Sequence, residues 1–332
     1  MKIIFTSDWH LSEDSDQNYR FDVIERLLPV GADKWYILGD IFDKKGNHSP
    51  LFVDKVLHQL NRIPVPVVVV AGNHDGFTPE NNWCRIFRWL TNVLVVCGHP
   101  QTMKENGFSV GFSVDCYPFG SSWDESPKNP GKIAVFHGMV CGSRMENGML
   151  SPRGISPEFF SGYDLAIGGD VHVSQKIGRN IVYAGAPHHL HFGDTYGPRV
   201  LVMDTESGNT EWFDLPVRHE KCIVRWDPSQ DVSRLGLPRG SFVRVRSEHE
   251  IPTEDRESIA KAITENGWII DSIQCEPEPY VSNEMMNDED SFVDKDPKLV
   301  LDRFCSQNDI SDEARQFMVG ELEAELCSNS KV

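Results

Sequence analysis

The first 75 residues alternate between continuous apolar runs and amphipathic stretches. KIIFTSD reads as a strand, residues 18 to 29 as an amphipathic helix, KWYILGD as a strand, residues 50 to 61 as a helix and VPVVVVAGNHD as a buried strand. That order predicts a βαβαβ layout around a parallel sheet. A helix is expected near 82 to 90, after which residues 93 to 214 read as many short strands broken by Gly, Pro and Asn, suggesting a second sheet. RVLVMDTESGNTEWFDL reads as a hairpin with a Gly-Asn turn. From about residue 220 the pattern restarts, and SFVRVRS, a helix near 252 to 266 and WIIDSIQC make a compact β-α-β unit.

Residues 276 to 294 are acidic and lack periodicity, so they read as a linker. Two helices are expected after it, one opening at Asp296-Pro297 and one at Ser311, each with apolar residues at helical spacing. The expected organisation is therefore a core over 1–220, a small unit over 221–276, a linker over 277–294 and a helical segment over 295–332.

Composition narrows the class. No stretch approaches the roughly 20 apolar residues of a spanning helix, and MKIIFTSD meets charge too early for a signal peptide, so a cytoplasmic protein with no membrane association is expected. Eight cysteines without a CxxC pair argue against a zinc knuckle and a disulfide scaffold. The net charge of -18 would count against nucleic acid as a partner, but from Glu276 onward there are fifteen acidic and five basic residues, so much of the excess lies in the tail.

The predicted strands end in polar clusters: Asp8 and His10, then Asp40, then Asn73 and His74, then His137, then Asp170 and His172. Ligands in open α/β sheets bind beyond the carboxyl ends of strands, so these clusters can meet in one crevice. Oxygen and nitrogen donors without cysteine suit a pair of divalent ions such as manganese, with magnesium as the alternative, better than a structural zinc. Asp40, leaving the central strand, is the natural carboxylate to bridge them.

The set D-x-H, G-D-x-x-D, G-N-H-D, H-G and G-D-x-H resembles the calcineurin-like metallophosphoesterases over about residues 1 to 215. The resemblance implies an α/β fold, a two-sheet αββα sandwich. It also implies one metal held by Asp8, His10, Asp40 and His172 and a second by Asp40, Asn73, His137 and residue 170, with His74 assisting the leaving group. His48 falls on a loop above this site, and His188, His189 and His191 lie beyond the last ligand. These four are candidates for the substrate rim, or ordinary polar residues. At 170 the family pattern has a histidine, and Asp170 departs from it. The ligand count is preserved while the centre becomes one unit less positive, which implies a harder-ion preference and an alkaline-shifted pH optimum.

Within that superfamily the chain is similar to the nuclease subunit of SbcCD-type DNA end-processing complexes, including phage versions. The similarity rests on GDIFD followed by a helix, YAGAP about a dozen residues after His172, and the β-α-β unit. It implies metal-dependent exonuclease and endonuclease activity on DNA. It also implies a small unit capping the nuclease domain, a C-terminal helical dock for an SMC-like ABC ATPase, and a homodimer, for which WCRIFRWL (83 to 90) is a candidate unless it is ordinary core. The setting would be the cytoplasm of a bacterium or of a phage-infected host. The rival expectations are a non-catalytic DNA-end or ATPase scaffold with a degenerate site, and a phosphodiesterase or phosphatase on small substrates.

Overall fold

A computed structural model describes residues 1–106, 111–124, 127, 130–228 and 231–275, all within one compact unit, Met1–Pro277. The expected linker over 277–294 and the helical segment over 295–332 lie outside the described residues.

In chain order the strands are β1 (Lys2–Thr6), β2 (Lys34–Leu38), β3 (Val67–Val70), β4 (Val93–Val96), β5 (Gln101–Glu105), β6 (Phe112–Tyr117), β7 (Ile133–His137) and β8 (Leu165–Gly169). They continue as β9 (Gln175–Ile177), β10 (Ile181–Tyr183), β11 (Arg199–Asp204), β12 (Thr210–Asp214), β13 (Lys221–Arg225), β14 (Phe242–Ser247) and β15 (Ile269–Cys275). Two six-stranded sheets form, ordered β12-β11-β1-β2-β3-β4 and β5-β6-β7-β8-β10-β9. β1 to β4 run parallel, as do β6, β7, β8 and β10.

Alternation along the strands builds the layers. Ile3 and Phe5 of β1 and Tyr36 and Leu38 of β2 pack against Val114, Val135, Ile167 and Val182 of the second sheet. The opposite faces of β1 and β2, carrying Ile4, Trp35 and Ile37, pack under Val23, Ile24, Phe52, Val56 and Leu60 of the helices. Ala134, Phe136 and Ala166 cover the second sheet's outer face with Phe159, Phe160 and Tyr163. The result is the αββα sandwich that the family resemblance implied.

Several elements differ from the sequence reading. Residues 18 to 29 form a 3₁₀ turn (Ser15–Asp22), a short α1 (Val23–Leu27) and a second 3₁₀ turn (Leu28–Val30) rather than one helix. Pro29 has no N–H to donate, and Gly31 at φ 68° then turns the chain away, so the helical path ends here. The segment Trp83–Trp89 is 3₁₀, with Cys84 and Phe87 buried and Trp89 89% exposed. β4 and the β11–β12 hairpin join the first sheet, although the sequence suggested the second. By contrast α2 (Pro50–Asn61) spans the predicted residues, with Ser49 accepting from Phe52 N and proline at its first position.

The restart near 220 is a three-stranded parallel sheet, β13-β14-β15, packed on α3 (Thr253–Glu265) with its own core of Val243, Val245, Ile259, Ile263 and Trp268. β13 was not foreseen as a strand. Among the described residues no helix is long and apolar enough to cross a membrane.

Candidate metal centre

The loops leaving β1, β2, β3, β7 and β8 converge, and backbone bonds lock them together. Asp8 N donates to Gly39 O at 3.0 Å, His10 N to Asp40 O at 2.9 Å and Leu11 N to Ile41 O at 2.8 Å. The buried Asp75 carboxylate accepts from Asp40 N, Ile41 N, Phe42 N and Gly72 N at 2.8–3.0 Å. One acid, with no contact to the expected ions required of it, thus fixes the turn that carries Asp40 to the turn that carries Asn73 and His74.

The packing leaves no room for a side chain at Gly72, where a Cβ would lie 2.2 Å from Asp40 Oδ1. Among the described residues the non-glycine positions with positive φ are Asp8 (57°), His10 (44°), Asp40 (54°) and Asp170 (88°). All four are expected ligands. Such backbone costs roughly 1–3 kcal/mol per residue and persists where the surrounding structure over-determines it.

Donor atoms of Asp8, His10 and His172 lie within 4.8 Å of one another, as do those of Asp8, Asp40 and His137, and those of His10, Asp40 and His74. Asp40 is shared in the manner of a bridge: Oδ2 faces His10 Nε2 at 3.7 Å while Oδ1 faces His137 Nε2 at 3.4 Å. Asn73 Oδ1 is 2.8 Å from His137 Nε2. Asp170 Oδ1 stands 3.7 Å from the same nitrogen, and its backbone N–H donates to Asp8 Oδ1 at 3.2 Å.

The histidine rings are oriented from behind. His137 Nδ1 is 2.7 Å from Leu38 O, and His74 Nδ1 is 2.7 Å from Asp43 O. A carbonyl can only accept, so in each ring Nδ1 carries the proton and Nε2 is left for the centre. His10 Nδ1 faces Asp43 Oδ1 at 3.4 Å, and Arg20 holds that same oxygen at 2.9 Å while also donating to His10 O. Asp8 Oδ2 and His10 Nε2 are buried without a hydrogen-bond partner. An oxygen and nitrogen donor set with such orphaned atoms fits a pair of divalent cations.

The calcineurin-like phosphoesterase family model matches residues 1–174, the span that supplies every one of these ligands. The chain belongs to the calcineurin-like phosphoesterase family. It is 21% identical over 325 residues to "Putative phosphoesterase 078R" of Invertebrate iridescent virus 3, covering 89% of this chain and 90% of that protein. Among solved structures it is similar to purple acid phosphatase PPD1 from yellow lupin (Lupinus luteus) seeds, with a TM-score of 0.44 and 12% identity, over 64% of this chain and 51% of that one. It is also similar to GAP50, titled the anchor in the inner membrane complex of Plasmodium, with a TM-score of 0.39 and 10% identity, over 77% of this chain and 98% of that one.

In this phosphoesterase, burial and the clustered charges displace the ligands' proton affinities in opposite directions. Desolvation raises Asp8 and lifts Asp40 to about 7, and it lowers His10 to about 3. For His137, burial pulls downward but is outweighed by Asp40, Asp170 and Asp8, which lift it to about 9. His172 also reaches about 9, because Glu146 and Asp8 overcome its burial. A buried cluster whose carboxylate charges lift two of its histidines is suited to added positive charge.

The rim reading needs correction. His188 and His189 are buried, 4% and 6% exposed, with Nε2 bonded to Trp9 O and Tyr196 O. They brace loops because the apolar turn around Leu190 folds inward. His48 is also turned away from solvent, with its side chain 4% exposed, stacked on Phe42 at 4.9 Å and 3.3 Å from Glu13 Oε1. His191 alone of the four stands at the centre's edge, exposed, with its ring 5.7 Å from that of His172.

Sequence reasoning assigned no role to Asp43, Arg20, Asp75 or Glu146. Asp43 and Asp75 were signalled, as the last residues of GDIFD and GNHD. Arg20 and Glu146 reach the site only through the fold.

Proposed function

We propose that this phosphoesterase is a manganese-dependent DNA nuclease, cleaving phosphodiester bonds as the nuclease subunit of an SbcCD-type complex. The observation that carries the reading is the arginine-bearing small sheet beside the centre. Val243 and Val245 of β14 face α3, so Arg244 and Arg246 point to the opposite face, where β13 pairs Arg225 with Arg246. Arg244 lies 4.0 Å over the ring of Phe192, and Lys221 donates to Leu190 O at 2.9 Å. Those two loop residues flank His191. Arg244 is also paired with Asp271 at 2.8 Å, and an arginine-bearing face one loop away from the centre supports a polyanionic substrate.

Two bound divalent cations would supply Lewis-acid charge on the phosphate and an activated water. The protein's own contribution is positional. Asp40 would serve both cations; Asp8, His10 and His172 would complete one shell, and Asn73, His137 and Asp170 the other. His74, its Nδ1 held by Asp43 O, presents Nε2 to hydrogen-bond the phosphate or protonate the departing oxygen.

The proposed partners are DNA, an SMC-like ABC ATPase docking on the C-terminal segment and a second copy of the chain. Exposed Trp89 is consistent with the last of these. The test is cleavage of end-labelled duplex and single-stranded DNA with manganese, with magnesium and with chelator, beside a small aryl phosphodiester. Manganese-dependent DNA cutting supports the nuclease. Turnover of the small ester alone replaces it with a small-substrate phosphodiesterase, and no turnover of either replaces it with a scaffold.

A further inference from the structure

We propose that Glu146 is a positioning residue for the metal centre, acting on His172 from a hairpin outside the strand-end motifs. The inference rests on the two-metal reading above.

Glu146 sits at the tip of a hairpin built by residues 142 to 151. Gly142 N donates to Ser151 O and Ser151 N to Ser143 O, both at 2.8 Å, and Arg144 pairs with Leu150. Met145 N to Met149 O (2.8 Å) and Gly148 N to Met145 O (2.9 Å) close the turn, with Gly148 at φ 81°. The tip is therefore a defined structure, and its placement is fixed by the strand that follows His172. Gln175, the first residue of β9, accepts from Arg144 N at 2.7 Å and donates to Arg144 O at 2.8 Å. One amide side chain three residues after the ligand thus sets the register of the hairpin two residues before Glu146.

The consequence is a 2.7 Å contact between Glu146 Oε1 and His172 Nδ1, with the histidine side chain 12% exposed. The carboxylate lies off the ring's N–H axis, so the contact is a close ionic one rather than a straight hydrogen bond. Glu146 joins none of the three donor groupings around Asp8 and Asp40 and meets His172 at Nδ1. The other two ring ligands are also backed by oxygen, His137 through a hydrogen bond to Leu38 O at 2.7 Å and His10 through Asp43 Oδ1 at 3.4 Å. An acceptor behind a ligand histidine fixes its tautomer and ring angle, and losing it typically lowers metal affinity about 10- to 100-fold. For His172 that acceptor is borne by a surface hairpin, whose neighbouring Met149 and Leu150 are 66% and 60% exposed.

The experiment is manganese titration by calorimetry of the metal-stripped full chain, wild type against Glu146→Ala, Glu146→Gln and Gln175→Ala, with thermal melting of each stripped protein. Wild type is expected to bind two ions. Glu146→Ala should weaken one of them about 10- to 100-fold and leave the other and the melting midpoint in place. Glu146→Gln, which keeps the side chain's size and loses its charge, should leave the same site weakened, because the contact is ionic. Gln175→Ala should weaken the same site, because the hairpin loses its anchor. Wild-type affinity at both sites in Glu146→Ala overturns the proposal, and so does a Gln variant that binds both ions as tightly as wild type. A wild type that binds no manganese overturns the metal reading itself and is distinguishable from either.

Discussion

His137 turns its Nδ1 to the carbonyl oxygen of Leu38, 2.7 Å away across the two stacked sheets. β2 of the first sheet thereby orients a ligand borne by β7 of the second. The metal centre is where the sandwich's halves are fastened, and its chemistry depends on their stacking. Replacing His137 with Ala removes one proposed ligand of the site assigned to Asp40, Asn73, His137 and Asp170. The expected outcome is a fall in bound manganese from two equivalents towards one, read by elemental analysis after gel filtration.

Asp75 offers a separate test, because it accepts four backbone N–H groups and none of its proposed role is coordination. Asp75→Ala leaves those donors buried and unpaired, so stability should fall by roughly 3 kcal/mol or more. Urea denaturation of the metal-stripped protein measures it. A loss below about 1 kcal/mol would mean that the turns hold without the carboxylate.

Proton release should accompany metal binding. Without metal, His137 and His172 hold their protons up to about 9, whereas the ligand form is neutral. Between the ordinary histidine value and about 9, manganese must displace these protons, so affinity rises with pH across that window. His10, lowered to about 3, contributes no proton at neutral pH. Calorimetry at pH 7 in buffers of different ionisation enthalpy should show release of at least one proton per protein. The same raised values stabilise the metal-free fold below about 6.5, and that contribution fades as pH climbs through about 9.

Asp170 makes the centre less positive than a histidine would. Asp170→His should therefore move the acid limb of the pH-rate profile to lower pH and strengthen zinc against manganese. An unchanged limb in the variant would show that residue 170 does not tune the nucleophile.

Much of the site was legible because its residues are local to strand ends. Period-two and continuous apolar runs locate β1, β2 and β3, and the ligands follow each directly. Asp8, Asp40 and His137 could thus be placed together before any coordinates. What was not legible depends on long-range contact. Nothing near residue 146 announces that a hairpin pinned by Gln175 brings Glu146 to His172. His188 and His189 looked like rim residues from their distance in sequence to His172, yet burial of the Leu190 turn draws them inside. The helix expected over 18 to 29 is α only over Val23–Leu27, with 3₁₀ geometry on either side, a break that the apolar periodicity of the segment does not disclose.

The most direct measurement is the rate of manganese-dependent cleavage of end-labelled DNA by wild type and by His74→Ala, with bound manganese determined for both. The account predicts cutting by wild type that chelator abolishes, and a loss of about 10²- to 10⁴-fold in His74→Ala with both ions retained. DNA left intact by a wild type loaded with two ions would contradict it.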